Sequence, residues 1–243
     1  MTATVVLGPK TRLGREVVRR LGAAPVLAIA RDAADVSAVA AATGLGTLDI
    51  VDASTGKLGA RVAELGDGPV RLIVAALGPV HPVKPDFEAD LAAVRRDLDI
   101  VDQVLGSGRP VEVVLVSTVI ALAPGDDRRY YGGWKSLLEQ LLEQHTARYG
   151  AALAVLYPGR LRSGRAAKPW QRLHASYDRL ARVVLDEDTA PGVRRTVGAD
   201  SRIWLAVRSI SFALRSLGLS TGRQRNALGG AHGGGATGSD SRE

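Results

Sequence analysis

Short apolar segments alternate with amphipathic segments along most of the chain. Residues 72–76 and 113–116 are apolar at every position, and strands that are apolar on both faces are typical of parallel sheets covered by helices. Segments of this kind predict strands near residues 3–7, 25–30, 47–52, 70–76, 111–117, 152–157 and 193–197. Segments with apolar residues at helical spacing predict helices near residues 12–21, 33–42, 57–65, 87–105, 130–149 and 176–186. This alternation predicts an α/β fold with a doubly wound parallel sheet and helices on both faces.

A glycine-containing turn joins the first predicted strand to the first predicted helix. Backbone N–H groups that converge at a helix N-terminus bind a pyrophosphate well. The spacing from Gly8 to Gly14 keeps the first and last glycines of a G-x-x-x-G-x-G loop, and Arg12 stands in place of the middle one. The turn therefore predicts a dinucleotide site in a single Rossmann-type domain. Its candidate contacts are Gly8, Lys10, Thr11, Arg12, Leu13 and Gly14.

The end of the second predicted strand indicates which dinucleotide binds. Arg31 stands there, about 20 residues past the glycines, where the adenosine ribose of a bound dinucleotide lies. An acidic residue at this place favours a free 2′-hydroxyl, whereas an arginine favours a 2′-phosphate. Lys10 and Arg12 add positive charge close by. We therefore expect NADP(H) to be preferred over NAD(H).

Ser117, Tyr131 and Lys135 are the candidate catalytic residues. Ser117 ends a predicted strand, and Tyr131 and Lys135 lie four residues apart in a predicted helix, so they share one helix face while Tyr130 does not. A phenol has a pKa of about 10 and exchanges protons poorly near neutral pH unless a cation stabilises the phenolate. Lys135 would supply that cation. Ser117 would hold a substrate carbonyl while Tyr131 transfers a proton and a cofactor supplies the hydride.

Taken together, these motifs resemble the short-chain dehydrogenase/reductase family over roughly residues 3–200. Further matches follow other predicted strands: Asp52 on the adenine side, Ala76 and Gly78 after the fourth strand, and Pro158 and Gly159 after the sixth. The resemblance implies that the Pro-Gly turn passes beneath the nicotinamide. It also implies that Tyr131 is the proton donor and that Lys135 anchors the nicotinamide ribose as well. Residues 1–200 would form one NAD(P)-binding domain that contains the catalytic triad.

The chain departs from the family pattern in three places. The fourth-strand motif is usually Asn-Asn-Ala-Gly, and here only the portion from Ala76 to Gly78 is recognisable. Arg12 removes one glycine of the nucleotide loop, which changes how the pyrophosphate is held. Many family members carry a proton-relay asparagine in the helix before the fifth strand, and here only Asp97 or Asp99 stands at a comparable place.

The resemblance implies an NADP(H)-dependent oxidoreductase of the ketoreductase or alcohol dehydrogenase type, which interconverts a carbonyl and a hydroxyl on a small organic substrate. Two alternatives stay open. The same triad serves an epimerase or dehydratase that retains its nicotinamide. The altered glycine loop favours a catalytically silent NADP-binding sensor or scaffold.

Composition narrows the partners and the location. The chain has 243 residues, no cysteine and a formal net charge of +7, and this length suits one α/β domain. The arginines are spread through predicted helices without a nucleic-acid-binding motif, so we expect no nucleic-acid partner. The lack of cysteine excludes disulfides and thiolate metal sites, and the scattered histidines predict no metal centre. The sequence shows neither a signal peptide nor an apolar run of about 18 residues, so the cytoplasm is the expected location.

Residues 201–220 predict a C-terminal amphipathic helix with two apolar faces. One face carries Ile203, Val207, Ile210, Leu214 and Leu217, and the other carries Leu205 and Phe212. Packing on one sheet accounts for a single face, so we expect a homo-oligomer contact. Intramolecular packing and contact with a membrane surface are the alternatives. The glycine- and serine-rich residues 221–243 predict a flexible tail.

Overall fold

Strands and helices alternate along the chain, as the hydrophobic pattern predicts. The computed structural model describes residues 2–22, 24–44, 48–78, 86–124, 128–164, 168–186 and 192–216. The strands are β1 (Ala3–Leu7), β2 (Val26–Ala30), β3 (Asp49–Asp52), β4 (Val70–Val74), β5 (Val111–Val116), β6 (Ala152–Pro158), β7 (Leu161–Arg162), β8 (Ala175–Ser176) and β9 (Arg194–Val197). The helices are α1 (Arg12–Leu21), α2 (Ala33–Thr43), α3 (Leu58–Ala63), α4 (Phe87–Leu105), α5 (Val119–Leu122), α6 (Arg129–Arg148), α7 (Tyr177–Leu185) and α8 (Ala199–Ser216).

Within these ranges, seven strands form one parallel sheet in the order β3-β2-β1-β4-β5-β6-β9, and β7 and β8 form a separate short pair. β1 pairs with β2 on one side and with β4 on the other, so the direction of winding reverses at β1. Such a reversal opens a crevice at the carboxyl ends of two neighbouring strands. Gly8 and Ala75 directly follow these ends, and the Ala75 N–H donates to the Leu7 carbonyl at 3.0 Å.

Helices cover both faces of the sheet, which confirms the predicted doubly wound α/β fold. Successive side chains of a strand point to opposite faces, and Val5 and Val6 of β1 accordingly belong to different core clusters. Val5 shares its cluster with residues of α3, α4 and α6. Val6 shares its cluster with residues of α1 and α7. Because both faces are covered, β1, β2 and β4 are buried at every position.

Long periodic elements match the predictions best. α1 and α4 begin and end at the predicted residues, and the bounds of α6 differ by one residue at each end. The hydrophobic pattern does not predict α5, the β7–β8 pair or the 3₁₀ helices Ala53–Thr55 and Pro169–Leu173. These elements have five residues or fewer, which is too short to show a periodic pattern.

The chain divides into two units, residues 1–206 and 207–243. The first unit contains the whole sheet. In the second, residues 207–216 are helical, and the side chains of Val207, Ile210, Phe212 and Leu214 are exposed. The predicted tail, residues 221–243, lies outside the described residues, and the predicted boundaries at residues 200 and 220 stay predictions.

None of the described helices has both the length and the apolar character needed to cross a membrane.

Candidate active site

A cavity of about 950 Å³ opens where the turn before α1 meets the ends of β4, β5 and β6. All three predicted catalytic residues, Ser117, Tyr131 and Lys135, line it. Six of the residues predicted to contact only the cofactor also line the cavity: Thr11, Arg12, Leu13, Ala76, Pro158 and Gly159. The structure thus brings together residues from both ends of the first unit, because the carboxyl ends of parallel strands meet at one edge of a sheet.

Tyr131 and Lys135 lie on the cavity side of α6. The Lys135 Nζ lies 5.8 Å from the centroid of the Tyr131 ring and donates a hydrogen bond to the Leu77 carbonyl at 3.0 Å. Tyr130 points elsewhere: its hydroxyl donates to Asp90, and its ring packs edge-on against Trp134. The two tyrosines are therefore in different surroundings although they are adjacent in sequence.

Burial shifts the pKa values of Lys135 and Tyr131 in opposite directions, because it favours the neutral form of each group. It lowers the pKa of Lys135 to about 8, and the nearby carboxylates of Asp97 and Glu139 oppose this change. It raises the pKa of Tyr131, and the positive charge of Arg128 opposes that change. Both shifts follow from the cost of placing a charge in a poorly solvated environment.

In the structure, Lys135 is not the cation that lowers the pKa of the Tyr131 phenol. The sequence predicts that Lys135 lowers the pKa of Tyr131, yet the cation that lowers it is Arg128, and burial outweighs the effect. The reason is geometric, because the ammonium donates to a backbone carbonyl instead of the phenol oxygen. Tyr131 is therefore a protonated phenol at neutral pH, which suits a proton donor.

Ser117 has a hydrogen-bond partner that was not predicted from the sequence. Its hydroxyl donates to Oε1 of Glu139, a carboxylate with 5% of its surface exposed. The hydroxyl of Tyr157 donates to the other oxygen, Oε2, at 2.7 Å. The neighbouring Thr118 also lines the cavity, and its Oγ1 accepts from the Ile120 N–H at 3.4 Å as the N-cap of α5. Two hydroxyls therefore reach the site, and the proton of Ser117 is directed away from it.

The turn between β1 and α1 requires glycine at both predicted positions. Gly8 has φ +85°, and a Cβ there would lie 3.0 Å from the Ala76 nitrogen. A Cβ on Gly14 would lie 2.3 Å from the Gly8 carbonyl oxygen. Thr11 completes the turn, because its hydroxyl donates to the Gly8 carbonyl at 2.8 Å and accepts from the Gly14 N–H at 2.9 Å. The first turn of α1 is thereby held close to the end of β1.

Arg12, which replaces the middle glycine, reaches across the fold. Its Nη1 donates to the Ser163 hydroxyl at 3.1 Å, across 151 residues of sequence. Arg12 stands at the first position of α1, where helix N–H groups and the helix dipole favour an anion. The donor set of backbone N–H groups and one guanidinium fits a diphosphate.

The other cations predicted to bind a 2′-phosphate are engaged in ion pairs. Arg31 donates from Nε and Nη2 to the two oxygens of Asp97, at 2.7 and 3.0 Å. Lys10 pairs with Asp35, which also accepts from the Arg31 N–H at 3.1 Å. Each of these two side chains therefore has a carboxylate partner, which offsets part of its positive charge.

Asp97, a candidate for the proton relay, forms hydrogen bonds that connect parts of the fold. It is 1% exposed, and besides Arg31 it accepts from the Gly78 N–H at 2.9 Å. Asp99, the other relay candidate, is exposed. Asp97 thus ties the ends of β2 and β4 to α4. Its negative charge also opposes the fall in the pKa of Lys135.

Arg31 and Gly78 follow β2 and β4, and Asp52 is the last residue of β3. All three lie along the same edge of the sheet but outside the lining of the cavity. Asp52 caps the 3₁₀ helix Ala53–Thr55, accepting from the Ser54 N–H at 2.8 Å. Gly159 faces Asp200, whose Oδ2 would lie 2.4 Å from a Cβ at position 159. No sequence pattern links Asp200 to Gly159.

Comparison with known proteins identifies the fold. No protein-family model matches the sequence, and no curated protein matches it. A short-chain dehydrogenase from Burkholderia cenocepacia, solved in complex with NADP, has a TM-score of 0.63 and 17% identity, with 90% of this chain and 97% of that chain covered. A short-chain dehydrogenase from Streptomyces avermitilis has a TM-score of 0.58 and 17% identity, with 90% and 98% covered. A UDP-N-acetylglucosamine 4-epimerase from Bacillus cereus has a TM-score of 0.56 and 14% identity, with 82% and 78% covered. The chain shares its fold with these enzymes.

Proposed function

We propose that this chain is a member of the short-chain dehydrogenase/reductase family and an NADP(H)-dependent oxidoreductase of the ketoreductase or alcohol dehydrogenase type. It interconverts a carbonyl and a hydroxyl group on a small organic substrate. The observation that carries this proposal is the placement of Tyr131 and Lys135 in one cavity with the turn before α1 and with Pro158 and Gly159. One fold hosts many activities, so the support comes from the site more than from the fold.

Tyr131 is the proton donor of the proposed reaction. A bound nicotinamide supplies the hydride for reduction or accepts it in oxidation. In reduction, the Tyr131 hydroxyl gives its proton to the carbonyl oxygen as the carbon receives the hydride, which leaves a phenolate. The Arg128 guanidinium, which lowers the pKa of this phenol, stabilises that negative charge, and the Lys135 ammonium, 5.8 Å from the ring centroid, adds positive charge nearby. Burial keeps Tyr131 protonated until this step, because it raises the pKa of the phenol.

The hydroxyl that orients the carbonyl is Ser117 or Thr118. A carbonyl oxygen needs a hydrogen-bond donor, and a serine or threonine hydroxyl has one proton. Ser117 already donates its proton to Glu139. Thr118 accepts a hydrogen bond from the Ile120 N–H, which leaves its proton for another acceptor. Thr118 is therefore the better donor in this arrangement, and Ser117 serves once it turns away from Glu139.

Seven predicted residues that line the cavity would hold the cofactor. The turn before α1, with Thr11, Arg12 and Leu13, would bind the diphosphate through N–H groups and one guanidinium. Ala76, Pro158 and Gly159 would border the nicotinamide, and Lys135 would bind its ribose. Gly8, Gly14, Asp52 and Gly78 shape the turn and the adenosine side.

The position of Arg31 directly after β2 is the basis for proposing that the site prefers NADP(H), which carries a 2′-phosphate, over NAD(H). The ion pair with Asp97 uses Nε and Nη2, so a phosphate would bind through Nη1. We expect NADPH to bind at least about tenfold more tightly than NADH, which corresponds to about 1.4 kcal/mol. Fluorescence titration of both cofactors measures this ratio. Arg31→Lys keeps a charge for Asp97 but loses the second amino group, so it should reduce the ratio. Equal affinities in the wild type would contradict the assignment of the 2′-phosphate.

A substrate panel tests the activity itself. Ketones, aldehydes and alcohols are incubated with either redox state of the cofactor, and the absorbance of the reduced nicotinamide is followed. Turnover of a carbonyl or alcohol supports the oxidoreductase. Tight cofactor binding with no turnover over a broad panel contradicts it and favours the sensor or scaffold.

One observation favours a second candidate, an epimerase or dehydratase that retains its nicotinamide. Arg12 lines the cavity and donates an exposed hydrogen bond to Ser163, and this contact would slow release of the cofactor if it closes over the bound diphosphate. A sugar-nucleotide epimerase shares the fold. Purified protein that carries bound nicotinamide through gel filtration would support this candidate, whereas protein that loses the cofactor and binds it reversibly supports the oxidoreductase.

A further inference from the structure

Glu139 is the buried acidic group of α6 that the proposed reaction does not use. It lies four residues after Lys135, as Lys135 lies four residues after Tyr131, so the three side chains share one helix face. Lys135 is 9% exposed and Glu139 is 5% exposed. A buried charge without partners is costly, so buried charges are paired or hydrogen-bonded. Lys135 and Glu139 carry opposite charges one helical turn apart in the same buried region.

Three side chains from different elements hold the carboxylate of Glu139. Ser117, which follows β5, donates to Oε1, and Tyr157 of β6 donates to Oε2 at 2.7 Å. Arg194 of β9 donates to the Tyr157 hydroxyl at 3.0 Å, and its Nη1 lies 3.6 Å from Oε2 of Glu139. Both oxygens of Glu139 therefore accept hydrogen bonds from neighbouring side chains, as a buried polar group requires.

We propose that Glu139 is a positioning residue, a buried carboxylate that acts together with Asp97 to keep Lys135 protonated, and that Ser117, Tyr157 and Arg194 hold its carboxylate beneath the active site. While Ser117 donates to Glu139, it acts through Glu139, and Thr118 is the hydroxyl that remains for the substrate. The catalytic consequence of this inference rests on the proposed role of Lys135. The coupling between the charges of Lys135 and Glu139 does not depend on which reaction the site performs.

The charges that face this pair come from several elements. Glu139 and Tyr131 face Lys135 from α6, and Asp97 faces it from α4. Asp97 shares its charge with Arg31, which forms two hydrogen bonds to it. Arg194, the cation closest to Glu139, has 46% of its side chain exposed and also pairs with Glu143 at 2.9 Å. Solvent therefore screens Arg194 more than it screens Lys135.

The physical consequence is a change in the pH range over which Lys135 is charged. Burial lowers the pKa of Lys135 to about 8, and the charges of Asp97 and, after it, Glu139 oppose that fall. Without the Glu139 charge, the pKa of Lys135 falls further, so Lys135 loses its proton at a lower pH. An enzyme that depends on the charge of Lys135 would lose activity at the same lower pH.

The experiment titrates Lys135 directly by nuclear magnetic resonance of full-length protein labelled with ¹³C and ¹⁵N at lysine. The Lys135 signal is assigned by its loss in Lys135→Met. Glu139→Gln should move the titration midpoint to lower pH. Glu143→Gln is the matched control, because Glu143 also pairs with Arg194 but lies one turn farther from Lys135 and is 59% exposed. It should leave the midpoint unchanged.

A second variant keeps the test decisive if Glu139→Gln does not fold. Glu139→Asp retains the charge on a shorter side chain, so its midpoint should also fall, by less than in Glu139→Gln. An unchanged midpoint in folded Glu139→Gln or Glu139→Asp, or an equal shift in Glu143→Gln, overturns the proposal.

Kinetics then separates this inference from the proposed function. In an active enzyme, Glu139→Gln should move the alkaline limb of the kcat profile to lower pH, with the acidic limb in place. A lowered Lys135 midpoint in a protein without turnover supports the coupling and counts against the oxidoreductase. An unchanged midpoint in an active enzyme overturns the coupling alone.

Discussion

Burial sets the protonation of the two residues that carry the proposed chemistry. It raises the pKa of the Tyr131 phenol and lowers that of the Lys135 ammonium to about 8. A tyrosine that stays protonated at neutral pH is ready to donate. A lysine that titrates close to neutral pH has a charge that depends on its surroundings, above all on Asp97 and Glu139.

The buried charge of Lys135 costs stability, so Lys135→Met should stabilise the protein. A fall from 10.5 to about 8 corresponds to about 3 kcal/mol, and loss of the hydrogen bond to Leu77 returns about 1 kcal/mol. We expect a net gain of about 2 kcal/mol near neutral pH in urea unfolding. Between pH 8 and 10.5 the unfolded state binds more protons at Lys135 than the folded state does, so the wild type gains stability as pH rises. The advantage of the variant should shrink through that window, and a constant advantage would refute the assignment.

The pair Ser117→Ala and Thr118→Val identifies the hydroxyl that binds the carbonyl. Because Ser117 donates to Glu139, we expect Thr118→Val to lower kcat by roughly 10²- to 10³-fold, the effect of removing one donor from a developing oxyanion. Ser117→Ala should lower kcat less and reduce stability by about 2 kcal/mol, because a hydrogen bond to a charged group is lost. Steady-state kinetics and urea unfolding of both variants measure these effects. The reverse order of kcat values would restore Ser117 as the direct ligand.

Local spacing explains which site residues could be predicted. Tyr131 and Lys135 were found because a four-residue spacing in a helix is visible in the sequence. Glu139 continues the same spacing, so the signal was present, but its partners Tyr157 and Arg194 come from other strands. The pairing of Arg31 with Asp97 spans 66 residues, and no local pattern shows that two such side chains meet.

Among the secondary-structure elements, buried polar contacts connect strand ends to helices. Asp97 in α4 binds Arg31 after β2 and the Gly78 N–H after β4. These contacts hold the adenosine side of the proposed cofactor site in one arrangement. The hydrophobic pattern predicted the elements themselves well, because long strands and helices must present apolar residues to the core. It missed α5 and the 3₁₀ helices, whose caps are single side chains such as Thr118 and Asp52.

Arg31→Ala should destabilise the protein whether or not a cofactor binds. The substitution leaves Asp97, which is 1% exposed, as a buried charge without its guanidinium, and breaking such a pair costs about 3 kcal/mol. Lys10→Ala is the control, because Lys10 pairs with Asp35 at a site where 41% of the lysine side chain is exposed; its effect should stay below about 1 kcal/mol. Urea unfolding without cofactor measures both. Equal effects of the two substitutions would show that the Arg31–Asp97 pair contributes no more than a surface ion pair.

For the whole molecule, the order of strands places the site. The reversal of winding at β1 makes the crevice, and the fold is shared with dehydrogenases although the identity is as low as 17%. An apolar pattern tolerates many sequences, which is why the fold was predictable from 243 residues without a matching family model. The substrate is not encoded in such a pattern, because it depends on the shape and charge of a cavity formed by distant segments.

Self-association is a prediction at this scale. Ile210 and Phe212 in the second unit are 60% and 74% exposed, and an apolar helix surface of this kind favours contact with another copy. Replacing Ile210 and Leu214 with Glu should dissociate a dimer, because it places charges in an apolar interface. Sedimentation velocity measures the mass. Ser209→Glu adds a charge at an exposed polar position and should leave the mass unchanged. A monomeric wild type would refute the prediction.

The most direct test of the proposed mechanism is the rate of Tyr131→Phe on any substrate that the panel reveals. The substitution keeps the ring and removes the hydroxyl, so fold and NADPH affinity should survive while kcat falls by roughly 10²- to 10⁴-fold. Tyr130→Phe is the control, because the Tyr130 hydroxyl donates to Asp90 and its ring packs against Trp134; its kcat should stay close to that of the wild type. A large loss in Tyr131→Phe alone supports Tyr131 as the proton donor. Full activity with phenylalanine at position 131 would contradict the mechanism.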